Sequence, residues 1–209
     1  MPKETFFNLQ EEKQKRILGC IFDEFSEHPY EEASISRVVK NAGIAKGSFY
    51  QYFEDKMDMY LYIIQLIADM KLKYLEKIEV KLENVDFFEY FRGLYYGGFR
   101  FANSHPKISK IGMFLMRSNS DELKRTVVET NYQLAIEFYT KLIERGISEG
   151  AIRSDINKEL LANLFIHMPT NVVDFFFKKY ESGSYNDKEL KEMIEEMIDI
   201  LKYGIGNPS

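Results

Sequence analysis

Apolar residues recur at intervals of three and four along most of the chain, which is the period of an amphipathic α-helix. This pattern predicts a first helix over Lys13–Phe25, two short helices within residues 34–53, and a long helix after Asp55. Further helices are predicted over residues 86–103, 107–117, 120–149, 155–180 and 186–204. No segment shows the two-residue alternation of a β-strand, so the predicted fold is all α, with about nine helices.

A tight turn between the two short helices is the most specific local signal. Ser34 stands directly before an apolar periodic segment, and we expect its hydroxyl to accept hydrogen bonds from the first free amides of that helix. Gly43 follows the segment, at the place where a left-handed residue commonly ends a helix. Together these signals predict a helix-turn-helix unit.

The second helix of this unit is predicted to present two different faces. Ala45, Phe49 and Phe53 are spaced four residues apart, so they share one face and should point into the domain. The opposite face offers a cation, small residues, a hydroxyl, a phenol and an amide, which suit the major groove of DNA. These outward residues are Lys46, Gly47, Ser48, Tyr50 and Gln51.

The segment Ala42–Lys56, with the sequence AGIAKGSFYQYFEDK, resembles the recognition-helix signature of the TetR family of bacterial transcriptional regulators. The helix predicted over Lys13–Phe25 resembles the first helix of that family, whereas the chain beyond residue 60 matches it only in length and helical character. The resemblance implies that Lys46, Gly47, Ser48, Tyr50, Gln51 and Tyr52 meet DNA, and that Ser36, Arg37 and Lys56 meet phosphates.

The resemblance also implies a division into two domains. Residues 1–56 would form a three-helix DNA-binding domain, and residues 57–209 an effector-binding and dimerisation domain, joined by the long helix. Eight aromatic residues within positions 87–101 are interleaved with three glycines, which fits either close helix packing or a ligand space walled by rings. Because the family holds a small-molecule pocket here, the predicted pocket residues are Tyr95, Tyr96, Phe99, Phe114, Tyr132, Phe165, His167 and Met168.

Two wide apolar stripes near the end of the chain favour a homodimer. Burial within one subunit would explain one such stripe, and in TetR-like proteins the C-terminal helices form a four-helix dimer interface. A two-fold dimer would present its recognition helices at about one helical turn of DNA or a multiple of it. The predicted interface residues are Leu161, Leu164, Val172, Phe176, Met193, Ile194, Met197 and Leu201.

The charge balance limits the size of the predicted DNA-binding surface. The net charge is −5, and residues 1–60 hold eight lysines and arginines against eleven acidic residues, whereas a nucleic-acid-binding protein is expected to carry a basic surface. Residues 34–56 hold four basic residues against two acidic ones. The predicted DNA-binding surface is therefore a small positive face that a dimer would present twice.

No constellation for catalysis, metal binding or a cofactor is present in the sequence. The three histidines are far apart, and there is no P-loop, dinucleotide fingerprint or nucleophile elbow. Arg92, Arg100 and Arg117 would either pair with an anionic ligand or, as is more usual, with internal acids, and Glu195 and Glu196 are predicted to be solvated.

The sequence also predicts a cytoplasmic protein. Cys20 is the single cysteine, which excludes a disulfide within the chain and is consistent with a reducing compartment. No apolar run approaches the roughly 20 residues that span a bilayer, and the first residues lack the layout of a signal peptide.

The resulting hypothesis is a ligand-responsive repressor. A dimer would bind a palindromic operator of double-stranded DNA, and a small, mainly apolar effector would release it. The alternative is a non-enzymatic helical dimer that binds a ligand and whose helix-turn-helix unit no longer engages DNA. A gel-shift assay separates the two.

Overall fold

The computed structural model describes residues 1–79, 85–179 and 187–205. Helices occupy most of these residues, which confirms the predicted all-α fold. Their bounds are α1 Glu4–Phe7, α2 Glu11–Glu27, α3 Ile35–Asn41, α4 Lys46–Tyr52, α5 Lys56–Glu79, α6 Phe87–Ser104, α7 Pro106–Arg117, α8 Asp121–Ser148, α9 Lys158–Lys179 and α10 Asp187–Ile205. None of these helices is long and apolar enough to cross a membrane.

The chain divides into two compact units. The first comprises Met1–Leu72 and Ala102–Thr130, and the second comprises Lys73–Phe101 and the described residues from Asn131 onward. The first unit therefore contains the helix-turn-helix segment together with the start of α5 and all of α7. A compact unit is defined by packing and a domain by its role, so the functional division after residue 56 stays a prediction.

Aromatic side chains form the core of the first unit. Phe25 of α2 meets Tyr60 of α5 edge to face, with 4.8 Å between ring centroids. Phe49 and Phe53 stack at the end of α4, with 5.5 Å between their centroids. Ile111 of α7 is also buried in this core, and an ion pair between Lys107 and Asp23 joins α7 to α2 at the surface. Helices α2, α4, α5 and α7 therefore pack around one core.

The core of the second unit is built on the start of α6. Phe87 and Phe91 stack with 5.8 Å between centroids, and Phe91 lies 4.6 Å from Phe165 of α9. Ile143 of α8 and Ile198 of α10 complete the same buried cluster. Aromatic residues of the segment 87–101 therefore take part in close helix packing, one of the two roles that the sequence allows for them.

A polar network ties α6 to α10 in this unit. Arg92 donates from Nε to a carboxylate oxygen of Glu195 at 2.9 Å, and the hydroxyl of Tyr96 donates to the other oxygen. Burial and this bond to Glu195 raise the pKa of Tyr96 to about 12. The side chain of Glu195 is 42 % exposed, as the prediction of a solvated carboxylate requires, but it is also bonded within the fold, which was not predicted. Arg92 pairs with internal acids, as arginines in apolar helices usually do.

Gly146 of α8 lies against the side chains of Ile152 and Phe87, so we expect Gly146→Ala to destabilise the protein. A Cβ at this position would lie 2.7 Å from Cδ1 of Ile152 and 2.8 Å from Cδ2 of the buried ring of Phe87. Overpacking of this kind costs about 1–3 kcal/mol, which exceeds the roughly 1 kcal/mol that alanine gains over glycine in a helix. The measurement is the free energy of unfolding in urea.

Gly112→Ala provides the control for this substitution. A Cβ at Gly112, which is also inside a helix, meets no atom within 4 Å. The control should therefore leave stability unchanged or raise it slightly. Equal effects of the two substitutions would contradict the close approach at Gly146.

Candidate functional site

The turn between α3 and α4 has the geometry that the sequence predicts. Gly43 adopts φ +63°, in the left-handed region that favours glycine. The amide of Ile44 donates to the carbonyl of Val39 at 3.0 Å, which closes the end of α3. Ile44 itself packs against the core of the first unit. The chain therefore enters α4 at a fixed angle, as a helix-turn-helix unit requires.

Glu24, and not the hydroxyl of Ser34, organises the start of α3. The Ser34 hydroxyl makes no capping hydrogen bond, so that prediction was wrong. Instead the Ser34 amide donates to Oε1 of the buried Glu24 at 2.6 Å, and Arg37 donates to the same oxygen from Nη2 at 2.6 Å. Burial alone would raise the pKa of Glu24, but the bonds from Arg37 and Ser34 outweigh it and hold this pKa below its ordinary value.

Two of the predicted phosphate contacts are engaged inside the fold. Besides its bonds to Glu24, Arg37 donates from Nη2 to the carbonyl of Glu32 at 2.7 Å. The Lys56 ammonium donates to the carbonyls of Tyr30 and Ala33, at 2.7 and 3.1 Å, and lies 4.6 Å from the centroid of the Tyr30 ring. Both cations therefore fix the connection between α2 and α3, and the charge that they present outward is reduced.

The outer face of α4 agrees with the prediction at five positions. Lys46, Gly47, Tyr50 and Gln51 are exposed, with Tyr50 46 % accessible, and Ser48 is partly exposed. On α3, the predicted phosphate contact Ser36 is exposed as well. A cation, a phenol and an amide thus project from one short helix at the surface of the first unit.

Two residues of this segment, Tyr52 and Ala45, do not lie on the sides of α4 that the sequence predicts. Tyr52 is 5 % exposed and packs against Phe6, with 6.0 Å between ring centroids, so it cannot offer its ring to DNA. Position 52 follows Phe49 by three residues in α4 and therefore shares its buried side. Ala45 is exposed because it precedes the helix in extended backbone, and its predicted inward position was wrong.

The predicted effector residues do not form one group. Tyr95 and Phe165 both contact Phe91, at 5.1 and 4.6 Å between centroids. Met168 and Phe99 pack on the same core. Tyr96 bonds Glu195, as described above, and the hydroxyl of Tyr132 accepts a hydrogen bond from Asn163 Nδ2 at 3.0 Å.

Two members of the predicted pocket, His167 and Phe114, are not part of the described core around Phe91. His167 is exposed, since it follows the buried Phe165 by two residues and so falls on the opposite side of α9. Phe114 belongs to the first unit, where it lines a surface cavity of about 420 Å³ together with Pro29, Glu31 and Arg117. His167 therefore does not support the predicted pocket near Tyr95, and the assignment of Phe114 to a pocket stays a prediction.

The predicted dimer residues divide into buried and exposed sets. Leu161, Ile194, Met197 and Leu201 are buried within the subunit, so their assignment to an interface between subunits was wrong. Val172 and Met193 are partly buried against the same core, and their place in an interface stays a prediction. Leu164 is 51 % exposed, so its surface is free to meet a second subunit. The side chain of Phe176 lies outside the described residues. Other exposed apolar residues of these two helices are Leu160, Phe175, Ile200 and Tyr203.

A helix-turn-helix unit with a polar, exposed second helix is typical of a DNA-binding protein. Residues 17–63 match the family described as bacterial regulatory proteins, tetR family. A TetR family transcriptional regulator from Chloroflexus aurantiacus J-10-fl, known from its crystal structure, is 31 % identical over the full length of both chains, with a TM-score of 0.65. The chain belongs to the TetR family and is a DNA-binding transcriptional regulator.

Two further likenesses extend over nearly the whole chain. The HTH-type transcriptional regulator YvdT of Bacillus subtilis (strain 168), itself uncharacterised, is 27 % identical over 208 residues, which are 99 % of each chain. The regulator FadR from Bacillus subtilis, solved in complex with stearoyl-CoA, is 18 % identical over 91 % of this chain and 98 % of its own, with a TM-score of 0.69. The second likeness shows a shared fold.

Proposed function

We propose that the protein is a repressor that binds a palindromic operator as a homodimer in the cytoplasm and is released by a mainly apolar effector. The observation that carries the DNA-binding part is the exposed polar face of α4 on an intact helix-turn-helix unit. No catalytic role is proposed, in keeping with a family of transcriptional regulators.

The proposed DNA contacts differ in what they contribute. Gln51 can donate to and accept from the edge of adenine, and Lys46 can donate to guanine or to phosphate. Tyr50 can offer its hydroxyl to phosphate and its ring to a thymine methyl group, while Gly47 lets the backbone come close. Ser36 and Ser48 would bond phosphates, which position the protein without reading sequence.

A gel-shift titration with the DNA upstream of the protein's own gene tests this proposal. We expect a sequence-selective shift that weakens as the salt concentration rises from about 50 to about 200 mM. Binding to phosphates releases counterions, so the affinity falls steeply over this range of salt. A scrambled duplex of equal length is the control. Absence of any selective shift would favour the alternative, a helical ligand-binding dimer that no longer engages DNA.

Gln51→Ala should weaken operator binding by about 5- to 150-fold, the range of a base contact worth about 1–3 kcal/mol, and should relax preference at one base pair of each half-site. Gln51 is exposed, so folding should be unaffected. Gln133→Ala is the matched control, since Gln133 is exposed on α8 and bonds only Glu137 among the described contacts. Equal loss in both variants would mean that α4 does not read the operator.

The proposed dimer interface is the exposed apolar stripe of α9 and α10. Leu160, Leu164 and Phe175 lie at spacings of four and eleven residues and share one side of α9, next to the side that packs inward. Ile200 and Tyr203 provide the exposed apolar residues of α10. A monomer would leave these side chains in water, and a second copy would cover them at a two-fold interface.

The proposed effector carries a long acyl chain and a neutral carbonyl group. FadR, which shares the fold, binds stearoyl-CoA. In this chain the hydroxyl of Tyr95 is buried among aromatic rings and has no hydrogen-bond partner among the described residues. Burial and the neighbouring Tyr139 raise the pKa of Tyr95, so it stays a neutral donor. An acceptor on a ligand would satisfy it.

Tyr95→Phe should weaken the binding of stearoyl-CoA by about five- to tenfold, as expected for one neutral hydrogen bond, without lowering the stability of the free protein. Tyr96→Phe is the matched control and should lower stability instead, because it removes the bond to Glu195. Calorimetric titration measures affinity, and thermal unfolding measures stability. Unchanged affinity in the Tyr95 variant would exclude its hydroxyl from the effector site.

The effector must bind the DNA-free conformation more tightly in order to release the operator. Linkage then requires that operator DNA weaken effector binding by the same factor. Titrating stearoyl-CoA with and without saturating operator checks this reciprocity. Equal affinity in the two titrations would show that this ligand does not control DNA binding.

A further inference from the structure

The recognition helix α4 has few interactions of its own that stabilise its last turn. It spans seven residues, has no side-chain cap at its start and carries no basic residue near its end. A helix of this length is marginal by itself, and its last four carbonyls need partners from outside the helix. Among the described contacts, the chain that follows directly meets one of these carbonyls, that of Phe49, through the amide of Phe53 at 2.8 Å.

The N-terminal arm, Lys3–Phe7, supplies the other three partners. The Lys3 ammonium donates to the carbonyl of Tyr50 at 2.9 Å, and the Lys3 amide donates to the carbonyl of Tyr52 at 2.8 Å. The hydroxyl of Thr5 donates to the carbonyl of Gln51. The positive charge of Lys3 also lies at the negative end of the α4 dipole, where a cation is favourable.

A buried ring fixes the arm in place. Phe6 is fully buried and lies 5.2 Å from Phe53 and 6.0 Å from Tyr62, measured between ring centroids. Because Phe6 belongs to the arm itself, in the short helix α1, its burial holds Lys3 and Thr5 against the end of α4. The contacts of the arm are thus part of the folded domain.

We propose that the N-terminal arm positions the recognition helix for DNA binding. Its bonds hold the backbone of Tyr50 and Gln51, the residues with the proposed contacts to the operator. Lys3 and Thr5 are positioning residues, acting through α4 and not through DNA. This inference rests on the proposed function, because it assigns the arm a role in operator binding.

The test compares Thr5→Val and the double variant Lys3→Met/Thr5→Val with wild type. Hydrogen exchange of the peptide covering residues 46–53 reports the order of α4, and gel shifts at several salt concentrations report operator affinity. We expect faster exchange in both variants and about tenfold weaker operator binding in the double variant, since the lost bonds are solvent-exposed and each contributes modestly. Lys15→Met, at an exposed lysine that pairs with Glu11, controls for the loss of charge.

The salt dependence separates positioning from direct contact. If the arm acts through α4, Thr5→Val weakens binding without changing the slope of affinity against salt. If instead the double variant lowers that slope by about one unit and exchange in α4 is unchanged, Lys3 contacts phosphate and the proposal is overturned. Faster exchange with undiminished affinity would also overturn it. Should wild type bind no operator selectively, the proposed function fails, and the exchange result still decides whether the arm holds α4.

Discussion

Leu164→Glu is expected to convert the proposed dimer into monomers and to reduce operator affinity by at least about 100-fold. The side chain is 51 % exposed in the subunit, so the glutamate is solvated in the monomer and folding should survive. In the proposed dimer the same carboxylate would be buried in an apolar interface without a partner, which costs about 3–5 kcal/mol, and the two-fold axis repeats this cost in both subunits. Operator binding falls with it, because each monomer carries one recognition helix.

Sedimentation equilibrium and gel shifts measure the two effects, and far-UV circular dichroism verifies that the variant is helical. Leu134→Glu is the matched control, because Leu134 is also 51 % exposed but lies on α8. The control should remain dimeric and should bind operator normally. A Leu164 variant that stays dimeric would place the interface elsewhere, and dissociation of both variants would show an interface that includes α8.

The sequence predicted the helices of this face but could not choose which side of α9 is buried. Leu161 and Phe165 form one apolar line along that helix, and Leu160 and Leu164 form another beside it. Helical periodicity identifies the buried side only when the other side is polar. On α9 both sides are apolar, so only the packing against α6 and α10 decides between them.

The helix-turn-helix unit was predictable because its signals are local. The turn at Gly43 and the exposed residues of α4 follow from spacing and residue type within about one turn of helix. The arm was not predicted, since four residues of α1 are too few to show a period. Its only sequence signal is the apolar pair Phe6-Phe7 in a polar neighbourhood.

The roles of the cations could not be predicted from sequence either. A lysine that bonds carbonyls and one that faces phosphate have the same sequence signature. In the structure Lys56 bonds backbone carbonyls and Arg37 bonds Glu24. The exposed cations that remain for DNA are Lys40 of α3 and Lys46 of α4. The positive face is therefore smaller than residue counts indicated, and the proposed dimer, which would present this face twice, matters more for affinity.

Glu24→Gln is expected to destabilise the protein by about 2 kcal/mol, the scale of hydrogen bonds to a charged group. Glu24 is buried and accepts from the Ser34 amide and from Arg37, and the neutral amide weakens both interactions. Because Arg37 is itself partly exposed, solvent screens part of the pair, and a larger loss is not expected. Glu27→Gln, at an exposed position of α2, is the matched control and should change stability little.

The effect of Glu24→Gln should depend on pH in a defined direction. The pKa of Glu24 lies below its ordinary value of 4.5 in the folded protein, so its contribution is fully present above pH 4.5. The contribution is lost as the pH falls through the lowered pKa, since protonation then removes the charge that the variant already lacks. Urea unfolding at neutral and acid pH should therefore show a gap between wild type and variant that closes on acidification. A gap that stays constant with pH would mean that the carboxylate charge of Glu24 does not stabilise the start of α3.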